Sequence, residues 1–330
     1  MTALHRLSLL GAALVLAGCA SVSPDGLRGD VAQLTAGRTA GVQAALPAAD
    51  AAAKAQAHDS IQRWLAEPLT QDAAVRIALL NNPGLQARLA ALGVADAERV
   101  QAIALPNPHF TLGRFANSHE REIERTLAFS LLDLITLPWR TERQAERLQI
   151  ATLQAAQDVV TLAADTRRAW LRAVAAEQVA ATHERMVEAA EAGTELARRM
   201  ASVGNWSRLQ LAREQAVLHE AHRQRARARL AAATAREDLN RRLGVWGKQE
   251  QYQLAAQLPP LPAAALPADG IETTALRERL DVQAARRQLD TQAVRVGWSR
   301  AGAVFGDIGL AYSRNTTTER GSGHRDTTRG

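Results

Sequence analysis

Cysteine occurs once in the 330 residues, at position 19, and lysine only at positions 54 and 248. A single cysteine excludes a disulfide scaffold and any zinc or iron–sulfur site built from several thiolates. Aromatic residues make up 4% of the chain, against 47% hydrophobic residues in which alanine predominates. That balance excludes a thick core built on Phe and Tyr and favours long helices packed closely through small side chains. Glycine (21) and proline (11) leave long uninterrupted stretches, which excludes a Gly/Pro-rich disordered chain. Charge of one sign is also lacking: 40 basic residues, 38 of them Arg, stand against 34 acidic ones. The excess of +6 is too small to argue for nucleic acid as a partner.

What is present begins at the N-terminus. Arg6 precedes a short apolar run, Leu7 to Leu16, which is too short to span a bilayer and fits the apolar part of a secretory signal. The run ends in Leu16-Ala17-Gly18-Cys19, a pattern similar to the bacterial lipobox. This implies a signal peptide over 1–18 and lipid attachment at Cys19. Ala20 after the cysteine implies sorting to the outer membrane, and several acyl chains on one residue give firm anchoring without a spanning segment.

Residues 19–68, rich in Ala and Gln without a clear period, read as a lipid-anchored arm. Thr70 is a candidate N-cap with Asp72 in the first turn, and Asn82-Pro83 interrupts the pattern before a second helix that Pro106 and Pro108 stop. The period then changes to two: Ile123, Leu127, Phe129 and Leu131 alternate with polar or small residues, and His109 to Ala116 is strand-like. A β-hairpin over 109–136 is predicted, with strands of the length a tilted membrane strand needs. Pro138 is expected to open a helix of about 62 residues, roughly 90 Å long. Leu148, Ala155, Leu162, Ala169 and Ala176 form its heptad seam. Gly204 ends it, Asn205 is a candidate cap for a return helix to Leu243, and so short a turn makes the pair antiparallel over 138–243.

A Pro-rich linker is expected over 258–271, and a helix resumes from about Glu272. Aligning Ala78 with Ala275 pairs Leu79 with Leu276, Leu85 with Val282 and Leu92 with Leu289, so the first repeat, 69–257, is followed by the start of a second, 272–330. A strand is predicted at 303–313, and the Thr- and Gly-rich 314–330 is expected to be a disordered tail. The fold class is mainly α with a small β part: a long antiparallel coiled-coil-like hairpin, membrane β-barrel strands and an incomplete internal duplication.

Together, Leu69-Thr70, Asn82-Pro83-Gly84-Leu85, Leu105-Pro106-Asn107-Pro108, Leu137-Pro138-Trp139-Arg140, and Gly204, Ser207, Leu209, Leu211 and Ala212 follow an order that resembles the TolC-like outer membrane efflux protein family, in its lipid-anchored branch. The resemblance implies a homotrimer in which each protomer gives four strands to a twelve-stranded barrel, and whose helices form a periplasmic tunnel. Implied partners are a periplasmic adaptor protein, an inner membrane pump and outer membrane lipid, with no nucleic acid and no cofactor. An adaptor-contact tip at Val203, Gly204, Asn205, Ser207 and Leu211 is implied as well. Against the family pattern, the fourth strand and the second long hairpin are expected to be absent, so the chain is expected to be a fragment or truncated product that closes no channel by itself.

Catalytic and metal readings have little support. His219 and His222 lie three apart on one helical face, without the zinc-protease spacing or a nearby third ligand. Arg223, Arg225, Arg227 and Arg229 are spread around a helix and lack an aromatic platform. Gly244 to Lys248 lacks Walker spacing, and Asp133, Asp158 and Asp165 assemble no nucleophile and base. No enzyme activity is expected. Two functions remain: a passive outer membrane conduit for export of metal ions, drugs or solvents, powered elsewhere, or a lipid-anchored periplasmic coiled-coil scaffold. The two-residue alternation favours the conduit, since a scaffold has no use for membrane-length strands.

Overall fold

A computed structural model of the chain describes residues 21–39, 41–42, 51–105, 107–261, 263–264, 269–302 and 309–330. The lipobox and Cys19 lie outside the described residues. The described elements are α1 (Arg28–Thr35), α2 (Ala51–Ala66), α3 (Gln71–Asn81), α4 (Pro83–Ile103), β1 (His109–Ala116), β2 (Glu120–Ser130), α5 (Leu131–Ser202), α6 (Arg208–Leu243), α7 (Ile271–Glu278), α8 (Leu280–Gly302), β3 (Gly309–Glu319) and β4 (Arg325–Arg329). They fall into two compact units, one of residues 27–91 and 152–280, the other of residues 92–151 and 281–330 with the described N-terminal residues up to Gly26.

In the helical unit, Thr70 caps α3 by accepting from the Ala73 amide, and Asn82 caps α4 by accepting from the Leu85 amide at 3.0 Å. Both act as their positions in the sequence predict. The core gathers Ile61, Leu69, Ile77, Ala78, Trp170, Val174, Leu239 and Leu243. Each fully buried leucine contributes about 1.5–3 kcal/mol. Within it the Trp170 indole donates to the Leu69 carbonyl at 2.8 Å, and Leu69 forms a parallel bridge with Leu254.

The buried face of α5 is wider than the expected heptad seam: Ala155 and Ala169 of that seam are buried, and Leu148, Leu162 and Ala176 are half-buried. Ala156, Ala163 and Trp170 alternate with Val159, Thr166 and Ala173 as a second buried stripe. Alanine is so frequent that two adjacent seven-residue registers fit the sequence, and the helix buries residues of both, with Trp170 and Val159 among the largest of them. Antiparallel pairing of α5 with α6 brings three pairs together at the same spacing: Glu177 with Arg236 at 2.6 Å, Glu184 with Arg229, and Glu191 with His222 at 3.8 Å.

Several expected boundaries are corrected. The 19–68 arm is no loose tether, because it contains α1 and α2, and the Ser23 amide donates to the buried Asp96 carboxylate at 2.6 Å. The hairpin ends at Ser130 rather than at 136. Ser130 accepts from the Asp133 amide and starts α5 seven residues before Pro138, which therefore lies inside the helix. Asp133 is thus a first-turn helical residue, not a strand residue, and it pairs with Arg140 at 3.3 Å. Ser207, not Asn205, caps α6, in a capping box with Gln210. The resumed helix is two helices broken at Arg279, the first starting at Ile271.

The largest correction concerns the C-terminal end. Residues 303–308 of the expected strand lie outside the described residues, and β3 continues to Glu319. The expected disordered tail contains the rest of β3 and all of β4. These pair antiparallel, with Thr316 opposite Thr327 and Asn315 opposite Thr328. The fourth strand is present. Threonine is β-branched and favours extended backbone without supplying apolar alternation, and Gly323, at φ +67°, lies in the tight turn between the strands.

Candidate functional site

The four strands form one sheet in the order β1-β2-β3-β4, antiparallel throughout. Glycine and Asx geometry makes the turns: the Asn117 side chain accepts from the His119 and Glu120 amides, and the Arg320 amide donates to His119, which ties the two turns together. Partners directly opposite share a face, so the register sorts every strand residue onto one of two surfaces.

On the first surface, Phe110, Leu127 and Tyr312 make one cross-strand row, with Leu310 one row further from the turns. Phe110, Leu112, Leu127, Leu310 and Tyr312 are between 44% and 66% exposed, so the chain itself does not cover this apolar band. Toward the turns the same surface carries Arg114, Arg121, Arg125, Arg314, Arg325 and Arg329 and no carboxylate. The second surface carries Glu120, Glu122, Glu124, Glu319 and Asp326 and no Lys or Arg, among Thr, Ser, Asn and Gly, with Phe115 its one exposed large apolar residue. Segregation of charge is therefore complete across the described sheet. The alternation in Glu120-Arg-Glu-Ile-Glu-Arg125 contains this signal, but reading the strand for apolar periodicity alone misses it.

At the other candidate site, the α5–α6 turn, Gly204 adopts φ +80° and the Asn205 amide donates to Met200 at 2.9 Å. Val203, Gly204, Asn205 and Ser207 are exposed at the connection between the helices, while Leu211 is half-buried one turn into α6.

The residues weighed for other chemistry are accounted for differently. His222 faces Glu191, Arg225 and Arg229 both face Glu184, and Arg223 pairs with Glu220. Asp158 pairs with Arg88 at 3.6 Å, while Asp165 pairs with Arg168 and, at 2.9 Å, with Arg242. Among the described residues no group of three or more His, Cys, Asp or Glu could hold a metal. None of the described helices is long and apolar enough to cross a membrane.

No protein-family model and no curated protein matches the chain. Solved structures do. The CusC channel structure superposes with a TM-score of 0.62 at 18% identity, over 79% of this chain and 64% of that one. The Campylobacter jejuni CmeC outer membrane channel gives 0.64 at 16%, over 79% and 60%, and the open Neisseria gonorrhoeae MtrE outer membrane channel 0.59 at 19%, over 78% and 61%. The fold is accordingly the mainly α, TolC-like fold of these outer membrane channels. The chain spans just under two thirds of the length of the structures it matches.

Proposed function

We propose that the protein is an outer membrane channel component, a passive conduit for export that works with a periplasmic adaptor and an inner membrane pump. The observation that carries this reading is the two-faced sheet. A band of Phe110, Leu112, Leu127, Leu310 and Tyr312 is left uncovered on one surface, opposite a polar and acidic one. A water-soluble sheet buries its apolar face against its own chain, whereas a barrel strand turns that face to lipid and its polar face to an aqueous lumen. The TolC-like fold supports the same reading, and extends it to a trimer whose strands share one closed barrel.

Because β4 supplies the strand whose expected absence argued against a closed channel, planar-bilayer recording of the purified protein tests the conduit: discrete, uniform conductance steps are expected, and their absence from preparations that have inserted would refute it. Two finer parts of the proposal have their own tests. Acylation at Cys19, with outer membrane sorting, is expected to give fatty-acid labelling that Cys19→Ser abolishes; unchanged labelling in that variant would remove the anchor. Adaptor docking at the exposed turn is expected to weaken when Gly204, Ser207 or Leu211 is changed in a protein that stays folded. Undiminished capture of the cognate adaptor would place the contact elsewhere.

A further inference from the structure

The apolar surface of the sheet contains a row that is electrostatically incomplete. Arg125, Arg314 and Arg329 stand directly opposite one another on three adjacent strands, Arg125 against Arg314 and Arg314 against Arg329. Directly opposed residues lie about 5 Å apart at Cα, and like charges at that spacing destabilise a sheet. Nothing on the same surface offsets the repulsion. Every carboxylate of the four strands lies on the other side, and none of the three guanidinium groups forms an ion pair among the described residues. Leu112 extends the row on β1, and the Phe110–Leu127–Tyr312 row lies immediately below. Two residues along a strand is about 7 Å, so the arginine row directly borders the apolar band. Arg114, Arg121 and Arg325 continue the basic surface beyond it, toward the turns.

We propose that this row binds the phosphate of an anionic lipid headgroup, with the acyl chains lying along Phe110, Leu127 and Tyr312. The inference rests on the reading of the sheet as lipid-facing and adds to it the class of lipid. Charge complementarity and the apolar border select the occupant together. A guanidinium donates two parallel N–H groups to phosphate oxygens, three in a row share the anion's charge, and an adjoining apolar surface has no use for a free inorganic ion. An anionic peptide or nucleic acid would not use the exposed aromatic and aliphatic row below.

The test transfers the full-length purified protein from zwitterionic detergent into vesicles of phosphatidylcholine, with or without phosphatidylglycerol. Flotation scores insertion, and native mass spectrometry scores which lipid stays bound. Retention of phosphatidylglycerol over phosphatidylcholine by about fivefold for each arginine engaged is expected. The Arg125→Gln/Arg314→Gln/Arg329→Gln variant should lose that preference. Its thermal midpoint in zwitterionic micelles should stay the same or rise, because the mutual repulsion has gone; a fall would mean that the arginines are structural, and would overturn the proposal. If the triple variant does not fold, Arg314→Gln alone, at the centre of the row, is expected to remove most of the preference, and full retention there overturns it equally. Excess inorganic phosphate should leave the bound lipid in place, and displacement would identify a free-anion site instead. Equal retention of both lipids by an inserted parent protein overturns this proposal and leaves the channel reading standing. Failure to float with either vesicle refutes the channel reading itself.

Discussion

Asn82 and Arg279, 197 residues apart, end their helices with one backbone geometry: φ −64°, ψ 117° at the first and φ −65°, ψ 125° at the second. Each amide donates at 2.9 Å to an alanine four residues earlier, Ala78 or Ala275, and each is followed at once by a longer helix and then a β-hairpin. The two segments thus match each other in backbone geometry more than in side chains. Asn82 also caps the following helix through its side chain, a bond that arginine has no acceptor to make.

Gly244 closes α6 at φ +69° against the α3–α4 break. A methyl group there would lie 2.6 Å from the Asn81 carbonyl oxygen and 3.0 Å from Pro83 Cδ. We predict that Gly244→Ala costs roughly 2 kcal/mol or more, because left-handed strain and a backbone clash add. Gly247, at φ +62° with nothing near its missing Cβ, should cost only the strain, about 1–2 kcal/mol as Ala. Equal losses for both in chemical unfolding would show that the contact at Asn81 does not matter.

Tyr252 is buried, donates its hydroxyl to the buried Asn240 side chain at 2.7 Å and lies under the Arg236 guanidinium, 4.6 Å from the ring centroid. Burial pushes its phenol up from 10.0 to about 12, with Arg236 opposing. A raised pKa means that the native state holds the proton more tightly than the unfolded chain. Its contribution is therefore complete below pH 10.0 and lost as pH rises through about 12. Tyr252→Phe should cost about 1–3 kcal/mol at neutral pH by stranding the Asn240 acceptor, and should flatten this part of the alkaline fall. An unfolding series across that pH range checks it; a parallel fall in the variant would assign the slope to other groups.

The Glu184–Arg229 pair bridges the two long helices at partly exposed positions. A double-mutant cycle with Glu184→Gln and Arg229→Gln is expected to give a coupling of about 0.2–1 kcal/mol that shrinks with added salt. A much larger, salt-insensitive value would mean that these pairs hold the hairpin together. The expected outcome leaves that task to the buried cluster of Trp170, Ala173 and Val174 from α5 with Leu239 and Leu243 from α6.

Replacing Trp170 by Phe keeps most of the apolar volume but leaves the Leu69 carbonyl without its indole donor. A loss of about 1–3 kcal/mol is expected, read as a lower thermal midpoint. An unchanged midpoint would show that water replaces the donor.

The helices were legible because their signals are local. Thr70, Asn82, Gly204 and Gly244 all mark the ends that their residue types predict. The start of α5 was obscured by Pro138, a strong signal that Ser130 and Asp133 outweigh seven residues earlier. β4 was illegible to an apolar period because Thr327 and Thr328 gain their extended conformation from β-branching and from pairing with β3. The charged surfaces of the sheet exist only once register is known. Arg125, Arg314 and Arg329 are far apart in sequence, and nothing local in it places them side by side.

That register has a consequence for assembly. Because strand side chains alternate strictly, a slip of one residue between β2 and β3 would exchange the surfaces of every residue beyond the slip. In this sheet the error would turn Glu319 and Asp326 to the basic, apolar surface and drive Arg314 and Arg329 among the carboxylates Glu120, Glu122 and Glu124. The out-of-step form would mix the two signs of charge on both surfaces of the sheet. Segregated charge thus acts as a register code: a hairpin paired one residue out of step gives up a surface of one sign for two surfaces of mixed sign, a loss that the aligned pairing alone avoids.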